Sequence, residues 1–600
     1  MKQIYSKFFI VFLLSMCSYA GFAQISVTAT VGTATATYTT LKGAFDAINA
    51  GTHKGVINIS VTGNTTETGR DSLAASGGAT TSYTSVTIKP AASTQPVING
   101  ALAGTMFYLV GTNNLTIDGS NTNGGTTKDL TIINTDTTGR TFYFSNGASN
   151  NTVKNCVIKG SIRTSGVISF VGSTAATGNN NNTFQNNDIT AANTTSALFM
   201  PLASFLSIGS ANKHNTGNII RNNRISNFQI GYYDGSDNGS SGSVNTVIDG
   251  NEFFSTMSST GSVSGVFLYD TSIANMTISN NLMHDFQSSV NLLGIQIYDS
   301  RTVNIYNNMI ALNSLTAQTI YGILQEAGSP NNAITVYYNS VHITGSTSGT
   351  NFSIAYAKDF SSTGDIVKNN IFVNTRTSTG TAKQYAIGNV PGGTLTPFTS
   401  NYNDLVVSGS AGAVGVTDPT GTQPFGTSFV SYTTLANWQA ASSQDANSIS
   451  ILPAFNGTSD LHLLNVAVNA ALDNKGTPIS GITTDYDNQA RSATTPDLGA
   501  DEFTVTATAV ANIDADVTSS LLMPNIIRNQ AMMRVSTKKA MIIQWTVTDA
   551  NGRKVMSFEQ KANAGQNDMN LQLGKLSAGT YYINGSTSKG NTTVVRFVKF

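Results

Sequence analysis

Asn280-Asn281-Leu282-Met283 is one of nine versions of a single phrase: an Asn-Asn pair or near substitute, a variable residue, then Ile, Val, Phe or Met, or Leu in the last version. The others are Asn155-Cys156-Val157-Ile158, Asn186-Asn187-Asp188-Ile189, Asn222-Asn223-Arg224-Ile225 and Gly250-Asn251-Glu252-Phe253 before it. Asn307-Asn308-Met309-Ile310, Tyr338-Asn339-Ser340-Val341, Asn369-Asn370-Ile371-Phe372 and Tyr402-Asn403-Asp404-Leu405 follow it. The second positions are separated by 31, 36, 28, 30, 27, 31, 31 and 33 residues. A period near 30 with short alternating segments marks a repeat architecture.

Each unit holds two or three segments such as Asn275-Met276-Thr277-Ile278 and Val303-Asn304-Ile305, with apolar residues at every second place. That is strand periodicity. Helical solenoids are excluded, and a propeller blade would need about 40 residues. Three strands per 30 residues predict an all-β chain: a right-handed parallel β-helix of about ten coils, each stacked about 4.8 Å from the last. The Asn pair then has a structural task. Asn tolerates the left-handed backbone of a tight turn, and its amide bonds to the amides above and below, so buried polar groups satisfy one another. Cys156, on the same ladder, reads as a small buried filler.

Working outward, Thr40 to Asn49 has helical apolar spacing before Gly51 and the strand Val56 to Val61. An amphipathic helix there would cover the open end of the stack. Lys2, Lys7, the apolar run Phe8 to Met16, and Gly21-Phe22-Ala23 before Gln24 read as a secretory signal peptide, 1–23. No later stretch approaches the length of a membrane-spanning helix. A lone Cys156 after cleavage makes no intramolecular disulfide and no cysteine metal site.

After about residue 512 the repeat stops. Strand-like segments follow at Ala531 to Ser536, Ile542 to Thr548, Val555 to Glu559, Tyr581 to Gly585 and Val594 to Val598, with Asn551-Gly552 as a hairpin turn. A small C-terminal β-sandwich is expected. The predicted order is 24–100 N-terminal cap and first coils, 101–415 β-helix repeats, 416–503 closing segment, 504–515 linker and 516–600 terminal domain.

Three resemblances can be placed on these residues. Thr39-Thr40-Leu41 through Asn49-Ala50-Gly51, with Glu67-Thr68 and Ile88-Lys89-Pro90, resembles the N-terminal cap of pectate-lyase-like β-helix proteins. Trp438 to Phe503, with Asp445, Asp485, Arg491 and Asp497-Leu498-Gly499-Ala500-Asp501-Glu502, is similar to the closing segment of secreted β-helix proteins of Bacteroidota. The tail resembles the type A sorting domain of the type IX secretion system. Its matching residues are Pro524-Asn525, Asp549 with Gly552 and Val555, Leu576 to Tyr582, and Arg596 to Phe600; Ile526 stands where the family has a second Pro. This implies export across the outer membrane through that machinery, removal of the tail, and a secreted or cell-surface location.

Charge narrows the partners. The chain has 32 Lys plus Arg against 32 Asp plus Glu, only 11% charged residues, and 55 Gly. No positive excess favours nucleic acid. The leader carries +2, residues 24–515 carry −9 and residues 516–600 carry +7. An acidic mature unit disfavours anionic polymers unless calcium bridges them.

Catalytic signatures of pectin lyases and polygalacturonases are missing: no Asp-Asp pair, no Gly-His-Gly and no Arg-Ile-Lys. The five His residues share no motif spacing. One constellation stands out. Tyr233-Asp234, Tyr269-Asp270 and Tyr298-Asp299 recur at about one coil, with Glu326 at the equivalent place on the next. With Val266, Leu268, Ile295 and Ile297 inward, Phe267, Tyr269, Gln296 and Tyr298 point outward. Aromatic rings stack on sugars, and carboxylates accept sugar hydroxyls or hold calcium; equally, Tyr pairs stabilise neighbouring strands and Asp opens turns. Lys213-His214 and Lys358-Asp359 read as solvated loop charge. The expected function is a surface β-helix protein that binds a polysaccharide or surface glycan, or serves as an adhesin-like stalk. The alternative is a polysaccharide lyase or glycoside hydrolase. No cofactor is called for, calcium at the carboxylates excepted.

Overall fold

The computed structural model describes residues 23–600 except 79, 163, 173–174, 194–196, 207–212, 237–241, 270–273, 299, 301, 315–317, 327–332, 360–363, 390–397, 410, 418–428, 506–513 and 551–552. The predicted leader and the Asn551-Gly552 turn lie outside the described residues. The chain divides into two compact units, with the boundary between Thr504 and Val505.

Among the described residues, three sheets of 14, 13 and 13 strands form the first unit. Apart from antiparallel strands at the ends of the first and third sheets (Ile25–Gly32, Thr35–Tyr38 and Val430–Tyr432), each strand pairs in parallel with its counterpart one coil later. Val303–Tyr306 pairs with Ile334–Tyr337, Met309–Ser314 with Ser340–Thr347, and Thr319–Glu326 with Ser353–Asp359. This is the parallel β-helix expected from the period, and the right-handed sense is the rule for parallel crossovers. The stack also includes coils upstream of Asn155 that lack the Asn phrase, such as the one containing Val97–Gly100. Alternate side chains fill the interior in axial lines. Ile278, Ile305, Val336 and Val367 come from the first sheet, Met283, Ile310, Val341 and Phe372 from the second, and Val266, Ile295 and Ile323 from the third; all are buried.

The corner from first to second sheet divides the two positions of the Asn phrase between two tasks. The first residue takes the left-handed turn: φ is 53° at Asn186, 54° at Asn280 and Asn307, and 53° even at Tyr338. The second residue builds the ladder. Asn187 begins the series, and Asn223, Asn251, Asn281, Asn308, Asn339, Asn370 and Asn403 each receive the side-chain amide of the preceding coil at 2.9–3.0 Å. Cys156 tops this column: its backbone N–H donates to Asn187 Oδ1 at 3.0 Å, and burial pushes its thiol pKa up. At the other end Asn403 donates to Asp445 Oδ1 at 3.1 Å. A second, shorter amide column, Asn151 to Asn182 to Asn218, opens the first-sheet strands upstream.

Both mouths of the barrel are covered. The helix Leu41–Asn49 buries Leu41, Ala44, Phe45 and Ile48, its first turn capped by Thr40 and by the Glu67 carboxylate, which accepts from the N–H groups of Leu41 and Lys42. At the far end a second helix, Leu435–Ser442, buries Trp438 completely. A side chain at Gly415 would meet the Trp438 ring at 2.2 Å, so that position needs glycine. The chain then lies back over the outer face of the second sheet. Leu461 and Ala500 pack with Met309 and Ala311, while Leu472 and Leu498 pack with Ile371 and Val373. Arg491 reaches Asn307 Oδ1 at 3.0 Å and sits 4.0 Å over the Tyr338 ring. Carboxylates replace strand pairing here: Asp485 and Asp497 each accept backbone N–H groups of the segment.

One interior position overturns its sequence reading. Lys358, expected on a solvated loop, is fully buried and lies 2.7 Å from the equally buried Asp365. It occupies an inward place in register with Gln325, and the carboxylate compensates the charge.

The second unit has a three-stranded and a five-stranded sheet enclosing one core around Trp545, Met533, Ile583 and Phe597. The five expected strands are present: four are extended, for example Gln530–Thr537 and Lys554–Ala562, and the last is shifted by one residue to Val595–Lys599. Val517–Met523, Ile526–Ile527 and Gly565–Gln572 add to them. The last of these, GQNDMNLQ, carries few apolar residues and buries only Met569 and Leu571.

Candidate functional site

The outer face of the third sheet carries the residues singled out above. Its strands Ile230–Ser236, Val263–Tyr269, Asn291–Tyr298 and Thr319–Glu326 lie side by side in parallel. Alternation works as expected: Val266, Leu268, Ile295 and Ile297 are inside, whereas Phe267, Gln296 and Tyr298 are half-buried on the outside and Tyr269 is exposed.

Two axial lines cross this face. One runs Tyr233, Phe267, Gln296, Leu324; the next runs Gly235, Tyr269, Tyr298, Glu326. Tyr269, Tyr298 and Glu326 are therefore true neighbours. Tyr233 is two residues out of step with Tyr269 and stands beside Phe267, ring centroids 5.5 Å apart. Asp234 does not border the ladder. It is buried on the inner side and accepts from Tyr232 Oη at 2.8 Å. The glycine spacing held the signal: Gly231, Gly265 and Gly294 occupy equivalent places, and counting from them puts Tyr233 early. Asp270 and Asp299 lie outside the described residues.

Tyr269 and Tyr298 stack with centroids 4.7 Å apart and planes at 23°. Rings in mutual contact leave no gap for a sugar between them. Glu326, the register partner of Tyr298, lines a cleft of about 260 Å³. Its polar lining is Ser262, Asn291, Gln296, Thr319 and Glu326; its apolar walls are Leu293, Tyr321, Leu324 and Phe352. Gln296 Nε2 donates to Glu326 Oε2 at 2.7 Å and Ser264 Oγ to Gln296 Oε1 at 3.2 Å, so the amide and the carboxyl are held in fixed orientation. Burial raises the Glu326 pKa, against the opposing hydrogen bond from Gln296. Sequence reading found Glu326 by coil counting. It missed Asn291, Thr319, Tyr321 and Phe352, because Leu293, Tyr321 and Ile354 form an outward apolar cluster indistinguishable by pattern from core.

A wider hollow of about 550 Å³ lies at the corner between the second and third sheets, lined by Ser255, Ser258, Asp285, Ser288 and Gln318 among others. Among the described residues its one aromatic, Phe286, is buried, so the hollow offers hydroxyls, amides and the Asp285 carboxylate without an apolar platform.

Residues 524–599 match the family described as the secretion system C-terminal sorting domain. No curated protein matches the chain. The sorting tail engages the type IX secretion machinery, and the protein is secreted or displayed at the cell surface. No helix among the described residues is long and apolar enough to cross a membrane.

Proposed function

We propose that the exported β-helix binds a neutral glycan chain on the outer face of its third sheet, seating sugar residues in the cleft between Asn291 and Glu326. The observation that carries this reading is the lining. An oriented carboxyl, an amide and hydroxyls face apolar and aromatic walls in one concave site, which is the mixture that orients a small polar ligand while excluding water. Glu326 accepts sugar hydroxyls, Asn291 both donates and accepts, and Tyr321 with Phe352 supplies the apolar platform. Tyr298 and Tyr269 extend the binding track from the cleft along the barrel. Neutral rather than anionic glycan follows from the net −9 of residues 24–515.

Affinity electrophoresis of the full chain through gels containing neutral or acidic polysaccharides tests this. Retardation by at least one neutral polymer is expected, weakened in Glu326→Gln, Asn291→Ala and Tyr298→Ala at unchanged circular dichroism. Equal retardation of parent and variants, or none for the parent, overturns the reading. Scoring the same polymers for new reducing or unsaturated ends separates binding from cleavage.

A further inference from the structure

His462, Asp487 and Asp501 are well separated in the chain, yet the closing segment brings one ligand atom from each within 4.8 Å of the others. The geometry points to a divalent transition-metal site at this place, on the second-sheet side of the molecule and independent of the glycan cleft.

The histidine is set up as a ligand. Asp460 Oδ1 engages its Nδ1, and Asp460 is itself fixed by Asn456 Nδ2 at 2.6 Å and by the His462 N–H at 3.1 Å. A carboxylate on the far ring nitrogen is the usual outer partner of a metal-bound histidine, because it sets the tautomer and the ring orientation. The Tyr486 ring meets the imidazole edge-on at 5.4 Å. Nε2 then points to Asp487 Oδ2 at 2.9 Å. Asp501 is 5% exposed and held by the Leu463 N–H at 2.7 Å. Asp487 sits on a turn whose amides bond to the buried Asp485.

Charge supplies a separate reason. Three carboxylates, Asp460, Asp487 and Asp501, surround one imidazole. Among the described residues the ion pairs of Asp460 and Asp487 are with His462 alone, with no Lys or Arg. A divalent ion held by two of these carboxylates balances that excess. His462 and Asp487 stay partly open, which admits the ion and leaves room for water to complete its shell. An imidazole among carboxylates suits Zn²⁺ or Mn²⁺, whereas Ca²⁺ takes oxygen ligands only. Bound metal would clamp the chain near Leu461 to the chain near Ala500, the two places where the closing segment packs on Met309 and Ala311.

The test uses the full chain, stripped with chelator and dialysed in parallel against Zn²⁺, Mn²⁺ and Ca²⁺. Metal per chain is then measured by plasma mass spectrometry and the melting midpoint by circular dichroism. The parent should retain one Zn²⁺ and melt higher with it. His462→Ala and Asp487→Asn should lose both effects. Asp460→Asn should weaken retention about tenfold or more while keeping the ligands. Asp487 is on the surface, so its variant folds even if His462→Ala does not. Zn²⁺ retention unaltered by Asp487→Asn, no retention by the parent, or retention of Ca²⁺ but not Zn²⁺ would each overturn the assignment.

Discussion

Asn281→Ala should cost about 4–6 kcal/mol, far more than an ordinary polar-to-alanine change. The side chain makes four hydrogen bonds. Its Nδ2 donates to Ile248 O and Asn308 Oδ1, and its Oδ1 accepts from the Asn251 backbone N–H and Nδ2, all at 2.9–3.0 Å. Two partners keep other bonds: Asn251 Nδ2 still reaches Ile220 O, and Asn308 Oδ1 still takes the Asn281 N–H. The Asn251 N–H loses its side-chain acceptor in a fully buried place, a loss of about 1–3 kcal/mol, and the other three bonds are worth roughly 1 kcal/mol each. Equilibrium urea denaturation gives the stability, and hydrogen exchange at Asn251 reports the local opening. Asn281→Asp is the informative control. At neutral pH it still accepts from Asn251 but cannot donate, and its charge faces Ile248 O and Asn308 Oδ1. It should be at least as damaging as alanine and recover in acid. A loss under about 1 kcal/mol with unchanged exchange at Asn251 would refute the account of the ladder as a bonded column, since surface-like substitutions stay within about 0.5 kcal/mol.

Three further outcomes are expected. Asp365→Ala removes the carboxylate that lies 2.7 Å from the buried Lys358 ammonium and should destabilise by about 3–5 kcal/mol; adding Lys358→Met should restore most of it in the same denaturation assay. Burial pulls the His342 pKa down to about 4, so the folded state binds fewer protons than the unfolded one. Its stabilising effect is present above about 6.5 and is lost as pH falls through about 4, at most about 3 kcal/mol in all. His342→Gln should flatten that part of the melting-temperature profile, and an unchanged slope would contradict it. Removing residues 505–600 should leave the β-helix in the periplasm of a host with a type IX machinery. Normal surface labelling of the truncated protein would count against the sorting role.

The repeat and both chain ends were legible because each rests on a local rule. Asn281 recurs at coil spacing, Thr40 to Asn49 has a helical stripe, and Arg596 to Phe600 closes a recognisable tail. The division of labour within Asn-Asn was not legible: both positions accept the same residue type for different reasons, one for φ and one for amide bonding. Lys358 was misplaced because a charged residue reads as exposed until its partner is known, and Asp365 only meets it across the turn. Tyr233 was aligned by residue identity rather than by the glycine that shares its strand position. The cleft depends on Phe352, which belongs to the coil after Glu326, and His462 meets Asp487 25 residues on. Such meetings leave no periodic trace.

Every amide in the long Asn column points the same way, each donating to the coil that follows it. Their dipoles therefore add, as peptide dipoles do along a helix, and the last coil faces the positive end. Asp445 stands there: one oxygen accepts from Asn403, Ser400 and Ser448, the other from Trp438 Nε1 at 2.8 Å. The neutral Cys156 occupies the opposite terminus. The barrel is thus electrically polar along its axis, with a buried anion answering the summed field of the column. Coils inserted between these two ends would lengthen the column without altering either terminus.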